Sequence, residues 1–204
     1  MMPFYPENKQ VPESLQTDAF VICPLTPAHV ALDYAALMSS KEMLRLWSGS
    51  PWPSDDFTLA ENLEDLKWHW DEHQKRIAFT FTVLNPAEDT CLGCIYIKPF
   101  TEILADNPEW ETAVKTDTST GSVTVLTAVP SHSALVRFWT IENLDKTLLI
   151  LLQKWFTTEW AFSEIYWHTP ANNHQQIKLF HTTGLQNLGS IQMPTRGGGH
   201  IIFK

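Results

Sequence analysis

Side chains able to do chemistry gather at a few places in this sequence of 204 residues. His69-Trp70-Asp71-Glu72-His73 matches His-x-x-Glu-His, in which two histidines one helical turn apart can hold a zinc ion. Asp71, Glu72, Gln74, Lys75 and Arg76 give the same segment the character of a solvated helix face. No later helix offers a third ligand, so no metal is expected. Cys91-x-x-Cys94 has the spacing of a redox or zinc pair. It lies in a strand-like segment, where residues three apart face opposite sides, so packed cysteines are the expectation. Arg196-Gly197-Gly198-Gly199-His200 can be read as an anion nest or as a flexible hairpin turn, the second being preferred. Trp47, Trp52, Asp55 and Asp56 flank one loop. Aromatic faces and carboxylates there suit an amine. A hydrophobic plug with helix-capping acids is the other reading, and both stay open.

The composition bounds what such groups can serve. The chain is 44% hydrophobic and 18% charged, enough apolar material for a sizeable core. Nine Trp and eleven Phe favour a compact interior or a shaped pocket. A formal net charge of -9 argues against nucleic acid as a partner and suits a cationic or neutral substrate. Three cysteines make a disulfide framework a poor reading and a reducing compartment a better one. No signal-peptide pattern opens the chain, and the longest apolar run, Leu148 to Leu152, is too short to span a bilayer. The expectation is a cytoplasmic protein with no membrane partner.

The elements that must position these groups follow from period and punctuation. Residues 1–18 are polar and proline-bearing and read as an extended arm. Residues 19–204 read as one domain with an insertion at about 99–133. Ala19 to Leu25 reads as a strand, then Thr26-Pro27 opens a helix to about Ser39. Trp47 to Phe57 is a loop. Thr58-x-x-Glu61 is a capping box for a second helix, with Leu59, Leu63, Leu66 and Trp70 at helical spacing. Ile77 to Leu84 and Cys91 to Lys98 form a hairpin. Within the insertion, Ser122 to Val129 is a further strand candidate. Leu135 to Ile141 is a strand, and Leu144 to about Trp160 is a helix apolar nearly all round, expected deep in the fold. Glu164 to Thr169 is a strand, Asn172 to Thr183 a helix ended by Gly184, and Leu185 to Phe203 a closing hairpin.

Asn173-x-x-Gln176-x-x-Leu179-Phe180-x-x-x-Gly184-Leu185, together with Leu92-Gly93 ahead of Cys94 to Ile97, resembles the GCN5-related N-acetyltransferase superfamily over roughly residues 19–203. The resemblance implies an α/β (α+β) fold: a mixed, mostly antiparallel twisted sheet of about 6–7 strands flanked by about 4 helices. It implies transfer of an acetyl group from acetyl-CoA to a small amine, a peptide amine or an amino terminus, with a homodimer as one open assembly. Phe138, Trp139, Thr140 and Ile141 would pair with the pantetheine arm. The start of the next helix, with Lys146 and Thr147, would meet the pyrophosphate through free N–H groups and the helix dipole, and Asn173 would complete the cofactor site. The loop bearing Trp47, Trp52, Asp55 and Asp56 would border the acceptor.

Two departures from the family pattern stand out. The turn Glu142-Asn143-Leu144-Asp145-Lys146-Thr147 has no glycine, although close backbone approach to a phosphate favours one. Glu142 and Asp145 would repel phosphate. Phe180 stands where many members carry a tyrosine that protonates the leaving thiolate, and a phenyl ring donates no proton. His132, Glu164 and His168 are candidate bases because they lie at or near the two central strands. A catalytically silent domain that binds a ligand or partner is the alternative reading, and a zinc hydrolase through His69 and His73 the remote one.

Overall fold

The computed structural model describes residues 4–110, 114–116, 123–125, 129–141, 144–193 and 198–204. The first strands are β1 (Leu15–Gln16) and β2 (Val21–Pro24), followed by α1 (Val30–Ser39), α2 (Lys41–Ser48) and α3 (Leu59–Gln74). Next come β3 (Phe79–Leu84), β4 (Cys91–Pro99), β5 (Val114–Thr116), β6 (Val123–Val125) and β7 (Ser133–Thr140). The chain closes with α4 (Asp145–Thr158), β8 (Glu164–Pro170), α5 (His174–Thr182), β9 (Asn187–Met193) and β10 (Gly198–Phe203). One eight-stranded sheet runs β1-β2-β3-β4-β7-β8-β10-β9, with only the β7–β8 neighbours parallel. This is the mixed, mostly antiparallel sheet that was expected, with eight strands rather than six or seven and five α-helices among the described residues.

Strand alternation sends side chains to two faces. Phe79, Phe81, Ile95, Ile97, Val136 and Phe138 form the main core with α4 and with Phe180 of α5. α4 is not surrounded, contrary to the reading of an all-round apolar helix. It buries one stripe (Leu148, Leu149, Leu152, Trp155, Phe156), while Ile150 is 51% exposed. On the other face Leu37, Leu44, Trp47 and Leu66 from α1 to α3 pack over Cys94 and Trp139. The residues before β1 are anchored. Phe4 and Tyr5 are buried against Phe79 and Phe162, and Arg76 donates to the Pro6 and Lys9 carbonyls at 2.9 and 2.7 Å.

Local chemistry explains several element ends. Thr58 and Glu61 make the reciprocal capping box, at 2.7 and 3.2 Å. Gly184 ends α5 at φ +89°, a conformation that L side chains resist. α2 follows α1 with only Ser40 between them and was not expected from the sequence. β5 and β6 form a separate two-stranded sheet, and the strand expected from Ser122 to Val129 is seen over Val123–Val125. No helix among the described residues is long and apolar enough to cross a membrane.

One irregularity corrects the sequence reading of Cys91 and Cys94. The β3–β4 register runs Val83↔Gly93 and then Leu84↔Cys91, so Leu92 is an extra, bulged residue. Leu92 packs toward the main core, and both cysteines face the α1–α3 layer instead of opposite sides.

Candidate active site

The sheet opens between its two parallel strands. The β7–β8 ladder pairs Ser133 to Val136 with Glu164 to Trp167 and stops there. Ile141 N–H bonds back to Leu92 on β4, so by alternation the backbone groups of Phe138 and Thr140 point into the opening. The Phe138 carbonyl takes two side-chain donors: Trp47 Nε1 from α2 at 2.5 Å, and Gln176 Nε2 from α5 at 3.1 Å. Asn173 caps α5 by accepting from Gln176 N–H at 3.2 Å, which sets the Gln176 side chain over the opening. Since Nε2 must face the carbonyl, Oε1 is the free end. It is buried and has no hydrogen-bond partner among the described residues.

Two cavities meet at Trp47. The first, about 270 Å³, lies at the mouth of the opening between Met43, Trp47, Thr140, Asp145, Asn173 and Gln176. The second, about 290 Å³, lies on the α1–α3 face between Trp47, Trp52, Trp68, His69, Tyr96 and Arg137. Arg137 is buried and stacks on the Trp47 ring at 3.4 Å. Burial pushes the Tyr96 hydroxyl well above its ordinary range, and it accepts from Trp139 Nε1 at 3.4 Å. Burial also raises Asp65, which borders the same space. His69 Nδ1 lies 3.2 Å from Thr80 Oγ1 and 3.5 Å from Glu72 Oε2, which leaves Nε2 for a ligand.

A third cavity, about 240 Å³, lies between the first turn of α4 and the outer face of α5, against Asp145, Lys146, Lys178 and Thr182. Asp145 sits at the positive end of α4 and accepts a 2.6 Å hydrogen bond from Thr140 Oγ1, tying the strand end to the helix start. Burial raises its carboxyl above the usual range, with the Thr140 bond opposing the shift.

The residues singled out from sequence are divided by this geometry. Trp139, Thr140, Ile141 and Asn173 line the first cavity, while the Phe138 ring belongs to the main core and Trp139 also packs in the α1–α3 core. Lys146 lines the third cavity, and Thr147 is exposed on the first turn of α4. Glu142 and Asn143 lie outside the described residues, as do Arg196 and Gly197 of the glycine-rich turn. Trp47 and Trp52 line the second cavity. Asp55 is exposed, held down at about 2 by ion pairs to Lys41 and Arg45 at 2.8 and 2.9 Å. Asp56 is exposed as well, its carboxyl lowered by the Ser54 hydroxyl.

Of the three candidate bases, His132 and Glu164 lie away from the opening, and His168 is the first β8 residue past the last β7–β8 pair. His132 precedes β7 at φ +63°, with Nδ1 3.2 Å from the Phe4 carbonyl. Glu164 pairs with Lys204 at 2.7 Å. Both sit at the closed end of the β7–β8 ladder, where Ser133, the partner of Glu164, is roughly 16 Å along β7 from Phe138 and His132 is one residue farther. His168 is buried beside His200, the two Nδ1 atoms 3.1 Å apart. His69 lines the second cavity, whereas His73 packs among Phe79, Phe81 and Trp70. Among the described residues the one group of three metal-ligating side chains is Asp33, Cys91 and Cys94. Gln176, Tyr96, Arg137 and Asp65 were not singled out as site residues from the sequence. Only their tertiary neighbours mark them.

No protein-family model and no curated protein matches the sequence. Solved structures do match its fold. A ribosomal-protein-S5-alanine acetyltransferase from Vibrio fischeri superposes with a TM-score of 0.65 at 13% identity, over 94% of this chain and 95% of that one. A ribosomal L7/L12 alpha-N-protein acetyltransferase in complex with coenzyme A gives 0.66 at 10% identity, over 94% and 96%. A microcin C7 self-immunity acetyltransferase in complex with acetyl-CoA and AMP gives 0.65 at 10%, over 95% and 96%.

Proposed function

We propose that this chain, whose fold is that of the GCN5-related N-acetyltransferases, transfers an acetyl group from acetyl-CoA to an amine. The observation that carries the reading is the opened β7–β8 ladder with the buried, unpartnered Gln176 Oε1 at its mouth. Pantetheine is an extended chain with two amides, and an orphan acceptor beside the strand edge where the β7–β8 ladder has ended is what such a chain can bind. Gln176 covers the Phe138 carbonyl and offers its own oxygen in that carbonyl's place.

In this reading the thioester lies in the first cavity and the amine reaches it past Trp47 from the second. The amine nitrogen attacks the thioester carbon, the C–S bond breaks, and the coenzyme leaves as thiolate. The N–H group of Phe138, which faces the opening, polarises the acyl oxygen. His69 Nε2 accepts the proton that the amine loses, with Nδ1 oriented by Thr80. Phe180 is fully buried and takes no part in proton transfer. Arg137 and the Trp47, Trp52 and Trp68 rings shape the acceptor space, which suits a small amine or an amino-terminal residue.

Calorimetry with acetyl-CoA and CoA, followed by a thiol-release assay over a panel of amines and amino-terminal peptides, tests the proposal. Saturable binding and turnover are expected, with turnover lost in His69→Ala and binding kept. A folded chain that binds no CoA at millimolar concentration sinks it. The second reading, binding without catalysis, rests on Asp145 at the phosphate end and on Phe180. It predicts binding with no turnover on any acceptor.

A further inference from the structure

We propose that Asp33, Cys91 and Cys94 form a buried structural site for a zinc-class divalent cation. The three donor atoms lie within 4.8 Å of one another, and Cys94 Sγ is 3.3 Å from Asp33 Oδ1. Tetrahedral zinc with bonds of about 2.3 Å to sulfur and about 2.0 Å to oxygen has S···O edges of about 3.5 Å and S···S edges of about 3.8 Å. The cluster is thus near the size of a metal polyhedron before any ion enters. Asn62 Nδ2 holds Asp33 Oδ2 at 2.9 Å, which turns Oδ1 to the thiols as an outer-shell partner does at metal sites. Thr82 Oγ1, 3.6 Å from Cys91 Sγ, borders the fourth position.

The bulge at Leu92 makes this arrangement possible, because it puts two cysteines three apart on one face. The surroundings also call for a cation. Asp33 is 3% exposed, Cys91 2% and Cys94 0%. No lysine or arginine among the described residues ion-pairs with Asp33. Three acidic groups out of water, with an amide, a hydroxyl and a backbone carbonyl as their other partners, each need a proton or a shared positive charge. A divalent ion displaces both thiol protons, and any carboxyl proton, to solvent. The site then carries one net negative charge, and no redox change is involved. None of the three residues lines the cavities around Trp47, so the role is structural. The ion would tie α1 to β4, two residues before Tyr96 enters the acceptor wall.

The test uses the full chain, purified under reductant and freed of metal by chelation, then titrated with cobalt(II). One cobalt per chain is expected, with thiolate-to-cobalt charge-transfer absorption that zinc abolishes. Asp33→Asn should weaken binding at least tenfold, and Cys91→Ser or Cys94→Ser should remove the charge-transfer band. Cys23→Ser and the double variant His69→Ala/His73→Ala should leave it intact. Folded wild type that takes up no cobalt, or a band that survives both cysteine variants, overturns the proposal. Where the cysteine variants fail to fold, zinc-edge X-ray absorption of wild type decides. A shell with two sulfurs supports the site, and one of nitrogen and oxygen alone overturns it.

Discussion

Asp145 places a carboxyl where an anionic coenzyme would meet α4. The helix start offers free N–H groups and a partial positive charge, and Asp145 already uses part of that field. Replacing Asp145 with Asn keeps an acceptor for Thr140 Oγ1 and removes the charge. At about 5 Å and an effective dielectric near 20, one carboxylate repels one phosphate charge by roughly 3 kcal/mol. The coenzyme can sit farther out, toward Lys146 and Lys178 in the third cavity, so about half of that is expected at the measured affinity. Asp145→Asn should therefore tighten CoA binding about tenfold, about 1.4 kcal/mol. Burial already disfavours the charged carboxyl in the folded chain, so removing the charge while keeping an acceptor for Thr140 should leave Tm unchanged or slightly raised. Affinity thus rises with no loss of stability, which a general loosening of the structure would not produce.

The pH dependence gives a second signature. The Asp145 carboxyl titrates above its ordinary value because it is buried. CoA binds the protonated form better, so wild-type affinity should rise as pH falls through the folded pKa, and level off near the affinity of Asp145→Asn. The variant should lack that rise. Acetyl-pantetheine, which has no diphosphate, should bind both proteins equally. Calorimetry with the two ligands at several pH values makes the comparison. Equal CoA affinities with equal pH slopes would refute the placement of the diphosphate at α4.

Other perturbations test the frame and the first cavity. His73 is held neutral by burial, its pKa lowered from 6.5 to about 4. The unfolded chain therefore binds the extra proton first, and stability present above pH 6.5 is lost as pH falls toward 4. The full shift would be worth about 3 kcal/mol, and screening at a partly exposed ring brings the expectation to about 1–2 kcal/mol. His73→Phe should flatten denaturant midpoints between pH 7 and 4.5 relative to wild type, and an unchanged slope would reject the assignment. In Gly93→Ala the new Cβ would stand 2.0 Å from the Trp139 carbonyl oxygen, which is backbone and cannot swing away. A loss of about 3 kcal/mol or more, roughly 6–12 °C in Tm, is expected by calorimetry. Gln176→Leu removes a donor to Phe138 and the orphan acceptor together, so acetyl-pantetheine affinity should fall about tenfold, whereas a ligand bound elsewhere would be indifferent.

What the sequence made legible is what neighbours within one element decide. Thr58 and Glu61 announce α3, Gly184 ends α5, and period-two runs mark β3, β4 and β7, because caps, left-handed turns and alternation act over a few residues. α2 escaped because it is eight residues long, abuts α1 and runs into a loop whose Gly, Pro and Ser dominate the local pattern. Its cost to the reading was large, since α2 carries Trp47 to Phe138, 91 residues away. Gln176 was legible as part of a motif on α5, but its orphan oxygen exists only because its nitrogen meets a carbonyl 38 residues back. Cys91 and Cys94 show the limit most sharply. The alternation rule is sound for a regular strand, and it assigns them to opposite faces. Whether the strand is regular is settled by its partner: β3 pairs Leu84 with Cys91 and skips Leu92, so the register across the ladder, not the spacing along the chain, decides that two thiols meet a buried carboxyl.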